Sequence, residues 1–168
     1  NRAILLNNYY ELTKNYVLKD FDWNFASTFK NLSLAEEKSE NEQFKFCYDY
    51  PNDCVCARDI FEKGNYKLQK FIISTVQSGN KVILTDTPKA VLRYTRRIDK
   101  ETYFTPEFSM AISYYLASQT ASVLVGSSQK GDSAYQKYKS ILKRAKILNA
   151  QEGADYLYED ETYLDSRS

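Results

Sequence analysis

The sequence predicts an α+β fold: a helical core, formed by an N-terminal helix and a C-terminal antiparallel helix hairpin, with an antiparallel β-meander inserted between them. Apolar residues recur with a helical period near both ends of the chain and alternate with polar residues in its middle. Short turn-forming sequences separate the alternating runs. A chain of 168 residues has the length of a single domain with a sizeable core.

The first element is predicted to be an amphipathic helix over residues 2–18. The aromatic segment "DFDWNFA" follows, in which Trp23 and Phe25 favour burial. After it, the polar, glutamate-rich stretch "SLAEEKSENEQ" predicts a solvated loop. We therefore assign residues 1–40 to the helical part. Because the chain begins at Asn1, inside the helical pattern and without a methionine, we expect a further segment upstream. The apolar side of the helix comprises Ile4, Leu5, Tyr9, Leu12, Tyr16 and Val17.

The middle of the chain, residues 42–99, is predicted to form the β-insertion. Its strand-like runs are "VCARDIF", "KLQKFIISTVQ", "KVILTD" and "AVLRYTRRI", preceded by alternation from Phe44 to Tyr48. The separators "YPND", "EKGN", "QSGN" and "DTPK" are typical of tight turns. About five antiparallel strands follow from this spacing.

Two helices are predicted in residues 104–152. Thr105 is expected to be the N-cap of the first helix with Pro106 at its first position, and Gly126 is expected to end it. The second helix is expected to start near Asp132 or Ser133 and to end near "AQEG". The short connection "GSSQKGD" predicts that the two helices are antiparallel.

The last segment, residues 154–168, is acidic and rich in tyrosine. Six basic residues between Lys130 and Lys146 precede six acidic ones between Glu152 and Ser168. These runs are typical of a solvated helix face followed by a loose tail, or of a tail that lies on the basic helix of its own or a neighbouring copy. Tyr156, Tyr158 and Tyr163 have no helical period and are expected to dock on a partner. We expect this segment to be mobile in a free monomer and ordered in an assembled particle.

Composition argues against several classes of function. The 23 basic and 22 acidic residues are balanced, and no segment has the roughly 20 apolar residues of a membrane span. Without histidine, the commonest general base and metal ligand are missing. Three cysteines, an odd number, indicate a reducing compartment, and "CVC" (Cys54 and Cys56, near Cys47) lacks the ligands of a structural zinc site. No phosphate-loop spacing occurs. We therefore expect no catalytic residue, metal or cofactor.

Arg93, Arg96 and Arg97 are the candidate functional residues. In a strand, Arg93 and Arg97 share one face, and Arg96 lies on the other. They are interpreted as solvated charges, as ion-pairing groups at a subunit interface, or as contacts to nucleic-acid phosphates. The 15 tyrosines favour the interface, since tyrosine is enriched where proteins meet. We expect at least one of these arginines to pair with an acidic residue of another subunit.

Four segments in order resemble a known family. They are "DWNFA", "YDYPNDCVCARDIF", "VLRYTRRIDKETYFTPEFSMAISYYLASQTASVLVGS" and "ILNAQEG", and the likeness spans residues 2–153. In this order the chain resembles the tail tubular protein A, or head-to-tail adaptor, family of short-tailed bacteriophages. It differs from the family in having Phe21 and Asp22 before the tryptophan, where a His-Pro pair is usual. The abundance of Lys, Asn and Tyr suits an AT-rich genome such as that of a crAss-like phage.

The resemblance implies a non-enzymatic virion protein of the neck or tail, assembled in the cytoplasm of the bacterial host. It implies a homo-oligomeric ring, of about twelve copies as in the family, that joins the portal protein to the tail nozzle. Phage DNA would pass through the channel of the ring without sequence-specific binding. The alternative is a nucleic-acid-binding module that uses "RYTRR" and the lysine-rich helix.

Overall fold

The computed structural model describes residues 2–41 and 43–162, which form a helical unit and a β unit. The β unit comprises Ala26–Asp99, and the helical unit comprises the chain before and after it. The predicted α+β fold with antiparallel sheets is confirmed. The helical part, however, ends at Phe25 and not near residue 40.

In the described residues of the helical unit there are three α-helices: α1 (Arg2–Asp20), α2 (Pro106–Val125) and α3 (Ser128–Thr162). The predicted ends of α2 are confirmed. The Thr105 hydroxyl accepts a hydrogen bond from the Phe108 backbone N–H at 3.3 Å, and Gly126 ends the helix with a φ of 63°, a left-handed conformation that glycine adopts without strain.

The predicted bounds of α3 are wrong at both ends, and a glycine misled the prediction each time. α3 begins at Ser128, where the Ser127 hydroxyl accepts a hydrogen bond from the backbone N–H of Lys130 at 3.3 Å. Gly131 therefore lies inside the helix. At the other end, the backbone helix continues through Gly153 to Thr162. A single glycine costs a helix about 1 kcal/mol, which good helix formers on both sides offset.

Gly131 has a packing role between α2 and α3. A Cβ atom on Gly131 would lie 3.0 Å from the carbonyl oxygen of Ser118. α2 and α3 therefore approach closely at Gly131, where a side chain would force the Ser118 carbonyl to shift. The predicted antiparallel arrangement of the hairpin is confirmed.

The core of the helical unit is aromatic. Trp23 is buried and makes edge contacts with Phe21 and Phe108, and its indole N–H donates to the Val17 carbonyl at 2.8 Å. Tyr138 is buried on α3, and its hydroxyl donates to the Asp20 carboxylate at 2.6 Å. The burial expected for Trp23 is thus confirmed, and the indole polar group is satisfied.

Helix α1 packs through a different side from the predicted one. Its buried residues are Thr13, Lys14, Val17 and Leu18. Of the predicted apolar side, Val17 is buried, whereas Leu12 is 69% exposed. Apolar residues occur around most of this helix, so the period alone did not decide which side packs. The members of the predicted side that face solvent are Ile4, Tyr9, Leu12 and Tyr16.

The described residues of the β unit form seven strands in two antiparallel sheets. The strand orders are β1-β7-β3-β4 and β2-β6-β5. The strands are β1 (Ser27–Asn31), β2 (Phe46–Asp49), β3 (Cys54–Glu62), β4 (Asn65–Gln69), β5 (Phe71–Thr75), β6 (Lys81–Thr85) and β7 (Ala90–Arg96).

Two features of this unit differ from the expectation. β1 comes from the stretch assigned to the helical part, and it pairs with β7, some 60 residues later in the chain. The run "KLQKFIISTVQ" is two strands, because β4 pairs with β3 in one sheet and β5 pairs with β6 in the other. Ile60, Ile83 and Leu92 are fully buried in the unit.

Candidate functional site

Arg93 pairs with a carboxylate of its own chain. It lies opposite Asp59 on the neighbouring strand, β3, and its Nε and Nη2 atoms are 2.7 Å and 2.5 Å from Asp59 Oδ2. Both side chains are about a quarter exposed. The guanidinium is therefore already engaged within one copy, and its contact with a second subunit stays a prediction.

Arg96 and Arg97 are exposed at the end of β7. Arg96 closes the strand, and Arg97 follows it with its backbone N–H donating to the Asp53 carbonyl at 2.7 Å. The structure thus separates the three arginines: one ties two strands together, and two are available to other molecules. Pairing of Arg96 or Arg97 with another subunit stays a prediction.

The three tyrosines of the acidic segment cannot be placed in a site. The backbones of Tyr156 and Tyr158 belong to α3, and their side chains are outside the described part of the molecule. Tyr163 lies outside the described residues altogether. Their docking role stays a prediction.

A cleft of about 650 Å³ opens on the β unit beside Arg97. Its walls come from the end of β1, the turn between β2 and β3, and the turn before β6. Backbone hydrogen bonds join these pieces: the Asp49 N–H donates to the Ser33 carbonyl at 3.0 Å, and the Tyr50 N–H donates to the Lys81 carbonyl at 3.3 Å. Backbone hydrogen bonds between neighbouring segments of the β unit therefore hold the walls of the cleft in place.

The charges in this cleft, which we call the basic cleft, are mainly positive. Lys30, Lys81 and Arg97 line it together with one carboxylate, Asp49. The Lys81 ammonium lies 5.6 Å from the ring centroid of Tyr50, within the range of a cation–π contact. The basic cleft can therefore bind an anionic group through several cations at once.

The basic cleft also contains Cys54, whose thiol is unsuited to nucleophilic chemistry. Burial raises the pKa of the Cys54 thiol to about 11, so the thiol is protonated at neutral pH. Burial, followed by the hydrogen bond with Cys54, raises the pKa of Tyr50 above its usual value. Both groups remain neutral, which favours binding over catalysis at this place.

A second cluster of polar aromatic groups lies in the helical unit. Tyr16 stacks on Tyr115 with ring centroids 4.3 Å apart, and Tyr115 contacts Tyr138 at 5.0 Å. Burial raises the pKa of Tyr115 to about 12. These tyrosines join α1, α2 and α3, and their arrangement is that of a structural contact between helices.

Sequence reasoning identified Arg97 but missed its two neighbours in the basic cleft. Lys81 opens the predicted strand "KVILTD" and was not singled out as a site residue, and Lys30 lies at the end of a strand that was not predicted. The three cations are 16 or more residues apart in the chain, so only the pairing of β1 and β2 with their neighbours brings them together.

No group of three metal-ligating side chains lies together within the residues that the structure describes. Over the same residues, no helix combines the length and the apolar character needed to span a lipid bilayer. No protein-family model matches the chain, and no curated protein is significantly similar to it in sequence.

Proposed function

We propose that this protein is a structural component of a bacteriophage virion: a head-to-tail adaptor that assembles as a ring, joins the portal to the tail nozzle and lines the channel for DNA. The order of the four sequence segments described above supports this assignment. The observation that carries it is an apolar stripe on α1, formed by Tyr9 and Leu12 with the partly exposed Tyr16 beside them, that faces solvent in a single copy.

The α1 stripe lies on the side of the helix opposite Val17 and Leu18, which pack into the helical unit. Leu12 is more than two-thirds exposed, although the helix has a buried side that could have taken it. Contiguous exposed apolar surface marks places where proteins associate. A ring requires a second, different surface on each subunit, and exposed Val123 and Val125 near the end of α2 supply apolar side chains for one.

A nucleic-acid-binding module is the second candidate, and the cluster of Lys30, Lys81 and Arg97 in the basic cleft favours it. Such a module predicts that a monomer binds duplex DNA with an affinity that falls steeply with salt. The net charge of +1 favours the adaptor, because a non-specific DNA-binding domain depends on an excess of cations.

Imaging and mass measurement test the proposal. Purified protein, alone and mixed with the portal protein of the same phage genome, would be examined by negative-stain electron microscopy and by light scattering on a sizing column. We expect rings, at least when the portal is present. A protein that remains monomeric with the portal and binds duplex DNA would refute the adaptor assignment in favour of the second candidate.

A pair of variants connects the result to α1. Leu12→Asp places a charge in the stripe and is expected to abolish ring formation, because an interface cannot bury an unpaired carboxylate without loss. Asn7→Asp adds the same charge at another exposed position of the helix and should leave assembly intact. Both substitutions are on the surface, so the free energy of unfolding should change by less than about 0.5 kcal/mol.

A further inference from the structure

The basic cleft has the properties of a preformed receptor for an anionic chain. Lys30, Lys81 and Arg97 are exposed, and none of them makes an ion pair with another of the described residues. The backbone on both sides of the cleft is held by the hydrogen bonds of Tyr50 and Arg97 described above. Cations that line one cleft and lack a carboxylate partner leave capacity for a ligand with several negative charges.

The chemistry of the cleft fits an acidic peptide better than a nucleic acid. Single-stranded nucleic acids are bound through exposed aromatic rings, and the aromatic residue in the wall, Tyr50, is half-buried with the Lys81 ammonium over its ring. Asp49 repels any anion beside it, but it can accept a hydrogen bond from a tyrosine hydroxyl, a donor that a phosphodiester lacks. The β unit carries 12 basic and 10 acidic residues, too small an excess for general binding to DNA.

The chain itself contains a segment of the complementary kind. Residues 154–168 carry five carboxylates against one arginine, and they include three tyrosines. No 15-residue stretch outside this end of the chain has so large an excess of acidic over basic residues. Its charged residues are Asp155, Glu159, Asp160, Glu161, Asp165 and Arg167.

We propose that the basic cleft of one copy binds the acidic segment 154–168 of a second copy. The cations of the cleft pair with the carboxylates of the segment, and Asp49 accepts a hydrogen bond from a tyrosine hydroxyl of the segment. This contact deepens the proposed function and rests on it, because it supplies one of the joints between copies that a ring requires. The joint is polar and is distinct from the apolar stripe of α1.

Peptide binding tests the receptor. The probe is a fluorescent peptide of residues 154–168, titrated by anisotropy with the full chain whose own segment is neutralised by Asp155→Asn, Glu159→Gln, Asp160→Asn, Glu161→Gln and Asp165→Asn. We expect saturable binding that weakens as salt is added. A peptide with the same amide substitutions should bind about tenfold more weakly or worse, since charge-assisted hydrogen bonds supply the affinity.

Charge reversals then locate the binding site. In the chain with the neutralised segment, Lys30→Glu, Lys81→Glu and Arg97→Glu together should weaken peptide binding by about tenfold or more. Three exposed lysines of the same unit outside the cleft supply the matched control: Lys63→Glu, Lys67→Glu and Lys70→Glu should change the affinity by less than about twofold. Far-UV circular dichroism and thermal unfolding establish that both triple variants are folded.

Four results would overturn the proposal. They are an absence of peptide binding, an equal loss in the control variant, a loss that follows only reversal of Lys137, Lys139 and Lys143 on α3, and a single-stranded oligonucleotide that binds the cleft more tightly than the peptide. The third result would place the segment on the basic helix, and the fourth would make the cleft a nucleic-acid site.

Mixing decides whether the segment comes from a second copy. A full chain with the reversed cleft keeps its acidic segment, and a full chain with the neutralised segment keeps its cleft. We expect each to self-associate less than the unaltered protein and the mixture to form mixed pairs, detected by differently tagged copies. Peptide binding without mixed pairs would show that each cleft holds its own segment, against the proposal. Rings that form although the cleft does not bind the peptide would leave the adaptor assignment standing and refute only this contact.

Discussion

Replacement of Arg93 by alanine is expected to destabilise the β unit, whereas the same change at Arg96 or Arg97 is not. Arg93 and Asp59 face each other across β7 and β3, and two guanidinium nitrogens contact one carboxylate oxygen. Arg96 and Arg97 are exposed at the end of β7. Three arginines within five residues therefore give a test with internal controls of identical chemistry.

The size of the effect follows from the geometry of the pair. A hydrogen bond to a charged group contributes about 1.5–3 kcal/mol. The two bonds of Arg93 share one oxygen, and water reaches about a quarter of each side chain, so we expect their contributions not to add. Arg93→Ala should therefore lower the free energy of unfolding by about 2 kcal/mol. Arg96→Ala and Arg97→Ala should stay within about 0.5 kcal/mol of the unaltered protein.

Urea denaturation followed by far-UV circular dichroism provides the measurement. With a denaturant slope of about 2 kcal/mol per molar, a loss of 2 kcal/mol lowers the midpoint by about 1 M. The fluorescence of Trp23, the single tryptophan, reports on the helical unit. If the two units unfold separately, the step of the circular dichroism transition that belongs to the β unit should shift in Arg93→Ala, while the fluorescence transition does not.

A double-mutant cycle gives the refuting result. Asp59→Ala combined with Arg93→Ala isolates the energy of the pair, which we expect to be about 1–2 kcal/mol. A coupling energy below about 0.5 kcal/mol would show that the ion pair does not stabilise the sheet. Equal midpoints for all three arginine variants would lead to the same conclusion, and would make Arg93 as available for a partner as the other two.

Three further predictions concern packing and ionisation. Alanine is roughly 1 kcal/mol more favourable than glycine inside a helix, but Gly131→Ala should lower the thermal midpoint, because the new Cβ would press on the Ser118 carbonyl. A raised midpoint would contradict this close approach. Trp23→Phe removes the hydrogen-bond donor to the Val17 carbonyl and leaves a void, and should lower the free energy of unfolding by about 2–4 kcal/mol in urea denaturation. A decrease within about 0.5 kcal/mol, roughly that of a surface substitution, would contradict the structural role of Trp23. Burial and the hydrogen bond to Asp53 raise the pKa of Tyr94 to about 12, so its contribution to stability is complete below pH 10 and is lost as the pH rises through about 12. Tyr94→Phe should therefore flatten the fall in the free energy of unfolding, measured with urea, over this pH range. An unchanged pH dependence would exclude the raised pKa of Tyr94.

Local signals predicted parts of the fold well. The bounds of α2 follow from a capping threonine, a proline at the first position and a terminal glycine, all of which act within one turn of the helix. β3, β6 and β7 were located from alternation and turn residues. α3 was cut short at both ends because glycine was interpreted by its intrinsic preference alone, whereas the close contact with Ser118 of α2 favours glycine at position 131.

The candidate sites divide in the same way. The arginine cluster is visible in the sequence, yet its members have different roles because Arg93 meets Asp59 across a sheet and Arg97 lies beyond the end of the strand. The basic cleft was not predicted, since Lys30 and Lys81 become neighbours of Arg97 only through strand pairing.

The sequence by itself determined the class of fold, the ends of α2, most of the strands and the presence of an acidic, tyrosine-rich segment that follows a basic stretch. These features depend on a residue and its neighbours within a few positions, where capping, propensity and alternation act. Tertiary structure alone decided which side of α1 packs, where β1 lies, how β4 and β5 separate into two sheets, and which cations share a cleft. Each of these depends on a partner distant in the chain, and the burial that selects one partner over another is a property of the whole folded unit.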